Sequence, residues 1–214
     1  MIFGNHIANV EKIDGIAALK KIERIGRVCY QSQDSITDDS WREFIEKILR
    51  RGDLSVIEHV SVTAYIYCDR GVSHELVRHR IASFSQESTR YCNYNKGRKI
   101  SGGEIRIVPL MDGLTKEQTS RRMALYSMAE GVYNDEVAEG VSPQQARDNL
   151  PTCLRTEIVM TCNLREWLHF FELRCAPNAH PAMRKIAFEI LDQMQKMIPL
   201  IFDDVAVRYA RIPD

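Results

Sequence analysis

The sequence predicts an α+β fold, with a mostly antiparallel sheet and flanking helices in a single domain over residues 1–214. Three observations predict it. Val60, Val62, Ala64, Ile66 and Cys68 alternate strictly with Ser61, Thr63, Tyr65 and Tyr67, the period of a half-buried strand. Several other segments repeat apolar residues at helical spacing. These strand-like and helix-like segments interleave along the chain. A length of 214 residues suits one long domain, at about 150 residues per domain. With 44% hydrophobic and 27% charged residues, the composition is globular and excludes wholesale disorder.

Met1 to Val10 reads as a short strand. Ala18, Ile22, Ile25 and Cys29 give one face of a first helix. Ser40-Trp41-Arg42-Glu43 has the spacing of a capping box, so a second helix is expected to run to the stop signal at Gly52. After the alternating strand, a short helix is expected over Val72–His79 and a loop from Ile81 to Ser101. Glu104–Val108 reads as a strand. Thr115–Glu139 reads as the longest helix, with Leu125, Ala129, Val132, Tyr133 and Val137 as its apolar stripe. A helix over Pro143–Asn149, a strand over Leu154–Thr161 and two closing helices, Leu164–Arg174 and Pro181–Ile198, complete the pattern. The last is apolar on more than one face, which predicts deep burial or a subunit interface.

Charge is balanced at 29 basic against 29 acidic residues, which argues against a wholly basic nucleic-acid protein. No apolar run approaches the ~20 residues of a membrane span, and the N-terminus lacks a basic region followed by an apolar one. The expected compartment is the cytoplasm. Cys29, Cys68, Cys92, Cys153, Cys162 and Cys175 form no CxxC pair and are expected to be reduced. His59, His169 and His180 form no HExxH-like pattern, so no metal is expected. No GxGxxG follows a strand, which leaves a Rossmann dinucleotide site unsupported.

Chemistry concentrates between Arg78 and Tyr91. From Gly71 to Ile100 there are six Lys/Arg and two Asp/Glu, a local excess on a neutral chain, and four Ser/Thr hydroxyls lie between Arg80 and Arg90. Guanidiniums, hydroxyls and loop N–H groups are what a phosphate needs. Ser88 could also be read as a nucleophile if a histidine such as His79 served as its base. A second class of reading makes the Arg78–Lys99 patch an RNA-binding or nucleotide-sensing module, with Tyr91 and Tyr94 stacking on bases.

Arg78-His79-Arg80, seven residues, Ser88 and then Arg90 resemble the signature of flavin-dependent thymidylate synthases, the ThyX family. Glu58-His59 before the alternating strand, Arg147 before Leu150-Pro151, Asn163-Leu164-Arg165 and Leu173-Arg174 with Ala179-His180 extend the resemblance over about residues 1 to 200. The resemblance implies methylation of dUMP at C5 to give dTMP. Methylenetetrahydrofolate would be the carbon donor, FAD the bound cofactor and NADPH the reductant. It also implies a homotetramer with shared active sites, and neither nucleic acid nor membrane as partner.

The resemblance carries roles to matching positions. Arg78, His79 and Arg80 would contact FAD, with Arg78 also near dUMP. Ser55 would lie by the flavin nucleotide of a neighbouring subunit. Asn163, Leu164, Arg165 and His169 would approach FAD, and Gln86 would face both flavin and nucleotide. Glu75 and the run Glu87, Ser88, Thr89 and Arg90 would hold dUMP, with Ser88 and Arg90 at its phosphate and Arg147 as a further ligand. Arg174 would sit against the uracil and favour ionisation at N3, the catalytic role. No cysteine would act as nucleophile, since Cys153 lacks the Pro-Cys-His setting of the thiolate-using class. Glu75 and Gln86 stand where some members carry Gln and Glu, and His169 where some carry Asn.

Overall fold

The computed structural model describes residues 2–95 and 105–210. In chain order its elements begin with strands β1 (Ile2–Phe3) and β2 (Ile7–Val10), then helices α1 (Gly15–Gly26) and α2 (Trp41–Arg51). Strand β3 (Ser61–Asp69), helix α3 (Arg70–Leu76) and strands β4 (Ala82–Gln86) and β5 (Arg106–Ile107) follow. The chain then forms α4 (Lys116–Ala138), α5 (Pro143–Ala146), β6 (Arg155–Asn163), α6 (Leu164–Arg174), α7 (Pro181–Met197) and α8 (Asp203–Ala210).

The expected mostly antiparallel sheet does not form. Helix accounts for 54% of the described residues and strand for 16%. Long alternation is limited to β3 and β6, nine residues each, whereas β1 and β5 have two residues apiece and pair in parallel. Helical periodicity claims most of the remaining apolar residues, so the fold is predominantly helical with small sheets.

The chain divides into two compact units, one of residues 1–6, 67–77 and 85–158, the other of residues 7–66, 78–84 and 159–214. Strands β2, β3, β6 and β4 are hydrogen-bonded in that order.

In the second unit α7 is the spine. Met183, Ile186, Ala187, Ile190 and Met194 are fully buried. Its polar face caps the edge strand β2. Glu189 accepts from the Ala8 N–H at 3.0 Å, and Gln193 accepts from Val10 N and donates to Ala8 O at 2.9 and 2.8 Å. These bonds answer the edge groups that would otherwise invite another chain. Asp14 caps α1 by accepting from Ala17 N at 2.9 Å, and Gly15 at its first position leaves room for the Met197 carbonyl, which a Cβ would strike. Trp41, Ile45 and Ile48 bury the inner face of α2. Gly52 ends it in the left-handed region, φ 76°. The expected capping box at Ser40 is not made: its hydroxyl instead accepts from Thr37 N and donates to Thr37 O. Helix α8 has no counterpart among the expected elements, because its Asp203-Asp204 start hides the pattern that buries Val205 and Tyr209.

In the first unit Tyr94, Ile107, Tyr126, Tyr133 and Leu154 form the core. A capping box between Thr115 and Gln118 starts α4. The expected stripe of α4 holds only in part: Tyr133 is buried and Val137 packs against the core, but Leu125 and Val132 are 60% and 39% exposed and Tyr126 takes the other inward place. Asp69 caps α3 by accepting from Val72 N, and its other oxygen meets the His6 ring at 2.8 Å. The short helix begins and ends earlier than expected, which leaves Arg78–Arg80 outside it. Strand β4 occupies part of the segment expected to be loop, and its Ala-Ser-Phe-Ser-Gln alternation carries too little apolar weight to stand out. Glu104 and Lys99 lie outside the described residues.

Candidate active site

In the second unit the site is built on α6 and the turn after α3. Asn163 caps α6, its side chain accepting from Glu166 N at 2.9 Å. Leu164, Trp167, Phe170 and Phe171 are fully buried, and Trp167 Nε1 donates to Val62 O at 3.1 Å. With that face locked inward, Arg165, His169 and Glu172 remain on the exposed side. In the turn, Arg78 and Arg80 are exposed while His79 between them is buried. The His79 ring meets Phe170 edge-on at 5.0 Å and His169 at 5.9 Å.

These residues wall a cavity of about 820 Å³, lined by Arg78, His79, Arg80, Asn163, Arg165, His169 and Arg174 among others. Of its five arginines, Arg165 is paired with Glu58 at 2.6 Å and Arg208 with Glu172 at 3.5 Å. Arg78 and Arg80 have no carboxylate partner among the described residues. Ile81, Leu168 and Leu173 add apolar surface. His79 Nε2 accepts from Arg174 Nε at 3.1 Å, and its Nδ1 lies 3.2 Å from Glu166 Oε1. Burial, then the Arg174 charge, then His169 push the His79 pKa down to about 4. The contact with Glu166 is therefore a hydrogen bond from a neutral ring rather than an ion pair. Glu166 itself is raised by burial.

In the first unit, Arg147 and Thr89 line a smaller cavity of about 260 Å³ with Arg70 and His74. Arg147 Nη1 donates to Thr89 Oγ1 at 3.3 Å. Ser88 Oγ accepts from Arg90 N at 3.3 Å, and Arg90 Nε donates to Gln144 Oε1 at 3.1 Å. Gln86 Nε2 donates to the hydroxyls of Ser73 and Thr156 at 2.8 and 3.3 Å. Glu87 accepts from the Tyr94 hydroxyl at 2.9 Å. Glu75 is half-buried on α3.

The structure thus gathers Arg78, His79, Arg80, Asn163, Arg165, His169 and Arg174 at one cavity, and Thr89 and Arg147 at another. Ser55 lines neither: it belongs to a third cavity, of about 720 Å³, beside Tyr30, Phe44 and Arg51. Leu164 is fully buried, and its N–H is spent on Val60 O. Tyr94 is 4% exposed and packs on Tyr133, so it offers no stacking face, although Tyr91 is 74% exposed. Sequence reasoning missed Glu166, Arg70 and His74. The capping-box spacing from Asn163 to Glu166 marks a helix start and not a functional role, and Arg70 and His74 carry no signal.

In the second unit a cavity is walled by arginines, two of them without a carboxylate partner among the described residues, and in the first unit a smaller cavity carries Arg70 and Arg147; guanidinium groups of this kind suit anionic ligands. A family model described as thymidylate synthase complementing protein matches residues 13–200. The flavin-dependent thymidylate synthase of Geobacter sulfurreducens is 35% identical over 185 residues, 83% of this chain and 78% of that one. That of Mycobacteroides abscessus is 33% identical over 205 residues, 89% and 80% of the respective chains. The crystal structure of a UMP/dUMP methylase, PolB from Streptomyces cacaoi, bound with 5-Br dUMP, covers 100% of both chains. It superposes with a TM-score of 0.76 at 22% identity, a likeness of fold. The chain belongs to the ThyX family of flavin-dependent thymidylate synthases.

Proposed function

We propose that this chain methylates dUMP at C5 to give dTMP, with methylenetetrahydrofolate as carbon donor, FAD as bound cofactor and NADPH as reductant. The observation that carries the reading is the convergence of Arg78, His79, Arg80, Asn163, Arg165 and Arg174, far apart in sequence, on one cavity. That cavity fits a flavin nucleotide on its own chemistry. Arg78 and Arg80 are free among the described residues to meet a pyrophosphate, and Ile81, Leu168 and Leu173 supply surface for a flat ring. Bound FAD supplies two-electron redox chemistry between NADPH and the one-carbon unit.

The remaining roles belong to side chains. Arg174, permanently cationic, faces the uracil and stabilises negative charge that develops on the ring, which raises electron density at C5. Arg147, Arg90, Ser88 and Thr89 hold the nucleotide, and Gln86 is a ligand of both nucleotide and flavin. Glu75, Glu87, Asn163, Arg165 and His169 complete the binding surfaces, while Leu164, buried with its N–H bonded to Val60 O, supports them from behind. Ser55, in its separate cavity, serves a site completed by a neighbouring subunit of a homotetramer. No thiolate is assigned a role: Cys153 lacks the Pro-Cys-His setting of the thiolate-using class, and burial raises its thiol above the usual range. Among the described residues no helix is long and apolar enough to cross a membrane.

The test is the visible spectrum of purified protein, its bleaching by NADPH with and without dUMP, and chromatography for dTMP. A yellow protein that bleaches and forms dTMP only with methylenetetrahydrofolate supports the reading. A colourless protein that takes up no FAD and yields no dTMP overturns it. Salt-steep oligonucleotide binding by such a protein would favour the RNA-binding alternative.

A further inference from the structure

The roles above leave a buried carboxylate without a task. Glu166 is 7% exposed and His79, which it touches, 4%. The imidazole bridges the two ends of α6. Its Nδ1 is 3.2 Å from Glu166 Oε1 in the first turn, and its Nε2 is 3.1 Å from Nε of Arg174, the last residue. Those two helix positions are about 12 Å apart along the axis.

The protons in this chain of contacts have one arrangement. A guanidinium Nε can only donate, so Nε2 of His79 carries a lone pair. A neutral imidazole then holds its proton on Nδ1, where it donates to Glu166. The ring stays neutral well below physiological pH, since burial, Arg174 and then His169 hold its pKa near 4. Two further contacts fix the partners. Glu166 N is bonded to Asn163 Oδ1 at 2.9 Å, and the Phe170 edge lies 5.0 Å from the His79 ring.

We propose that Glu166 is a positioning residue: through His79 it sets the tautomer and ring orientation that hold the Arg174 guanidinium in its working plane. The inference rests on Arg174 being the group that faces the uracil. A metal centre is the competing use of these atoms, since ligand atoms of His79, Glu166 and His169 all lie within 4.8 Å of one another. Both ring nitrogens of His79 are already engaged, one of them by a cation's N–H. A divalent ion would have to displace that bond and sit beside a guanidinium, so hydrogen bonding wins over coordination.

The test uses the FAD-loaded enzyme. Glu166→Leu removes the acceptor and is expected to lower kcat about 100-fold, the scale of a misplaced catalytic group, with flavin content and dUMP KM little changed. Glu166→Gln keeps an oxygen acceptor and should rescue most of the loss. Solid-state 15N NMR of the unmodified histidine-labelled enzyme should show His79 protonated on Nδ1 only. That signal is assigned by its loss in His79→Gln, and the measurement stands whether or not Glu166→Leu folds. Wild-type kcat in Glu166→Leu overturns the inference, as does an Nε2-protonated His79. If Arg174→Ala is inactive while Glu166→Leu is fully active, only the positioning role falls. If Arg174→Ala keeps its kcat, the reading of Arg174 falls with it.

Discussion

The two basic sites are built differently. In the second unit, Arg174 leans on a histidine that is 4% exposed, which leans on a carboxylate that is 7% exposed. In the first unit, Arg90 leans on exposed Gln144, and exposed Arg147 makes one long contact, 3.3 Å, with Thr89. Buried contacts in low dielectric are strong and hold one geometry; exposed ones compete with water. The first arrangement is preorganised, which suits stabilisation of charge that develops during reaction. The second can adjust to a ligand and suits a phosphate that carries full charge throughout.

That contrast predicts separable mutant phenotypes. Arg174→Ala should have the largest effect, lowering kcat about a thousandfold while FAD stays bound, measured by dTMP formation and flavin absorbance. A loss confined to dUMP KM would place Arg174 with the binding groups and erase the contrast. Arg147→Ala should come next. Removal of a charge-assisted bond worth about 1.5–3 kcal/mol raises dUMP KM about 10- to 100-fold, with kcat and flavin content nearly unchanged. A fall in kcat of the same size would show that the first-unit site also acts on developing charge.

A smaller effect tests the scaffold. Gly52 sits at φ 76°, and a Cβ added there would meet nothing within 4 Å, so Gly52→Ala brings only backbone strain. It should cost about 1 kcal/mol in thermal denaturation, without change in turnover. Gly15→Ala is the contrasting case, because the new methyl would strike the Met197 carbonyl. It should cost several times more, and equal melting temperatures for the two variants would contradict the packing of α1 on α7.

What the sequence revealed followed from how each signal is encoded. The alternation of Val60–Cys68 became β3, with Val62, Ala64, Ile66 and Cys68 all buried, because period two in β-branched residues has few other outlets. The helical stripe of α4 was legible in part: Tyr133 fills the core and Val137 packs against it, but Leu125 and Val132, which outweigh tyrosine in hydrophobicity, are exposed and Tyr126 takes the remaining core place. The short β4 was hidden by its serines and α8 by its acidic start. The arginines of the site were legible through a long, ordered motif. Glu166 was not, since a glutamate at the third position of a helix reads as an ordinary capping residue, and only the tertiary fold brings His79 against it.

The smallest expected effect concerns the thiols, and it separates a buried interior from a chemical one. Burial raises Cys68 and Cys175 to about 12, so at pH 8 each holds only about one part in ten thousand as thiolate. Cys162 is raised further by the same cause. Because the shift is upward, lowering the pH only deepens the inertness, and these three should resist a thiol reagent in the folded enzyme while exposed Cys29 reacts. Cys153 is the informative case: it is half-buried, raised mainly by burial, and its hydrogen bond to Tyr126 works the other way. If uracil activation belongs to Arg174, Cys153→Ala should keep turnover within about twofold, the scale of an ordinary substitution outside the chemistry. A hundredfold loss with FAD still bound would instead make Cys153 a nucleophile, and the preorganised guanidinium would then be an accessory to thiolate chemistry.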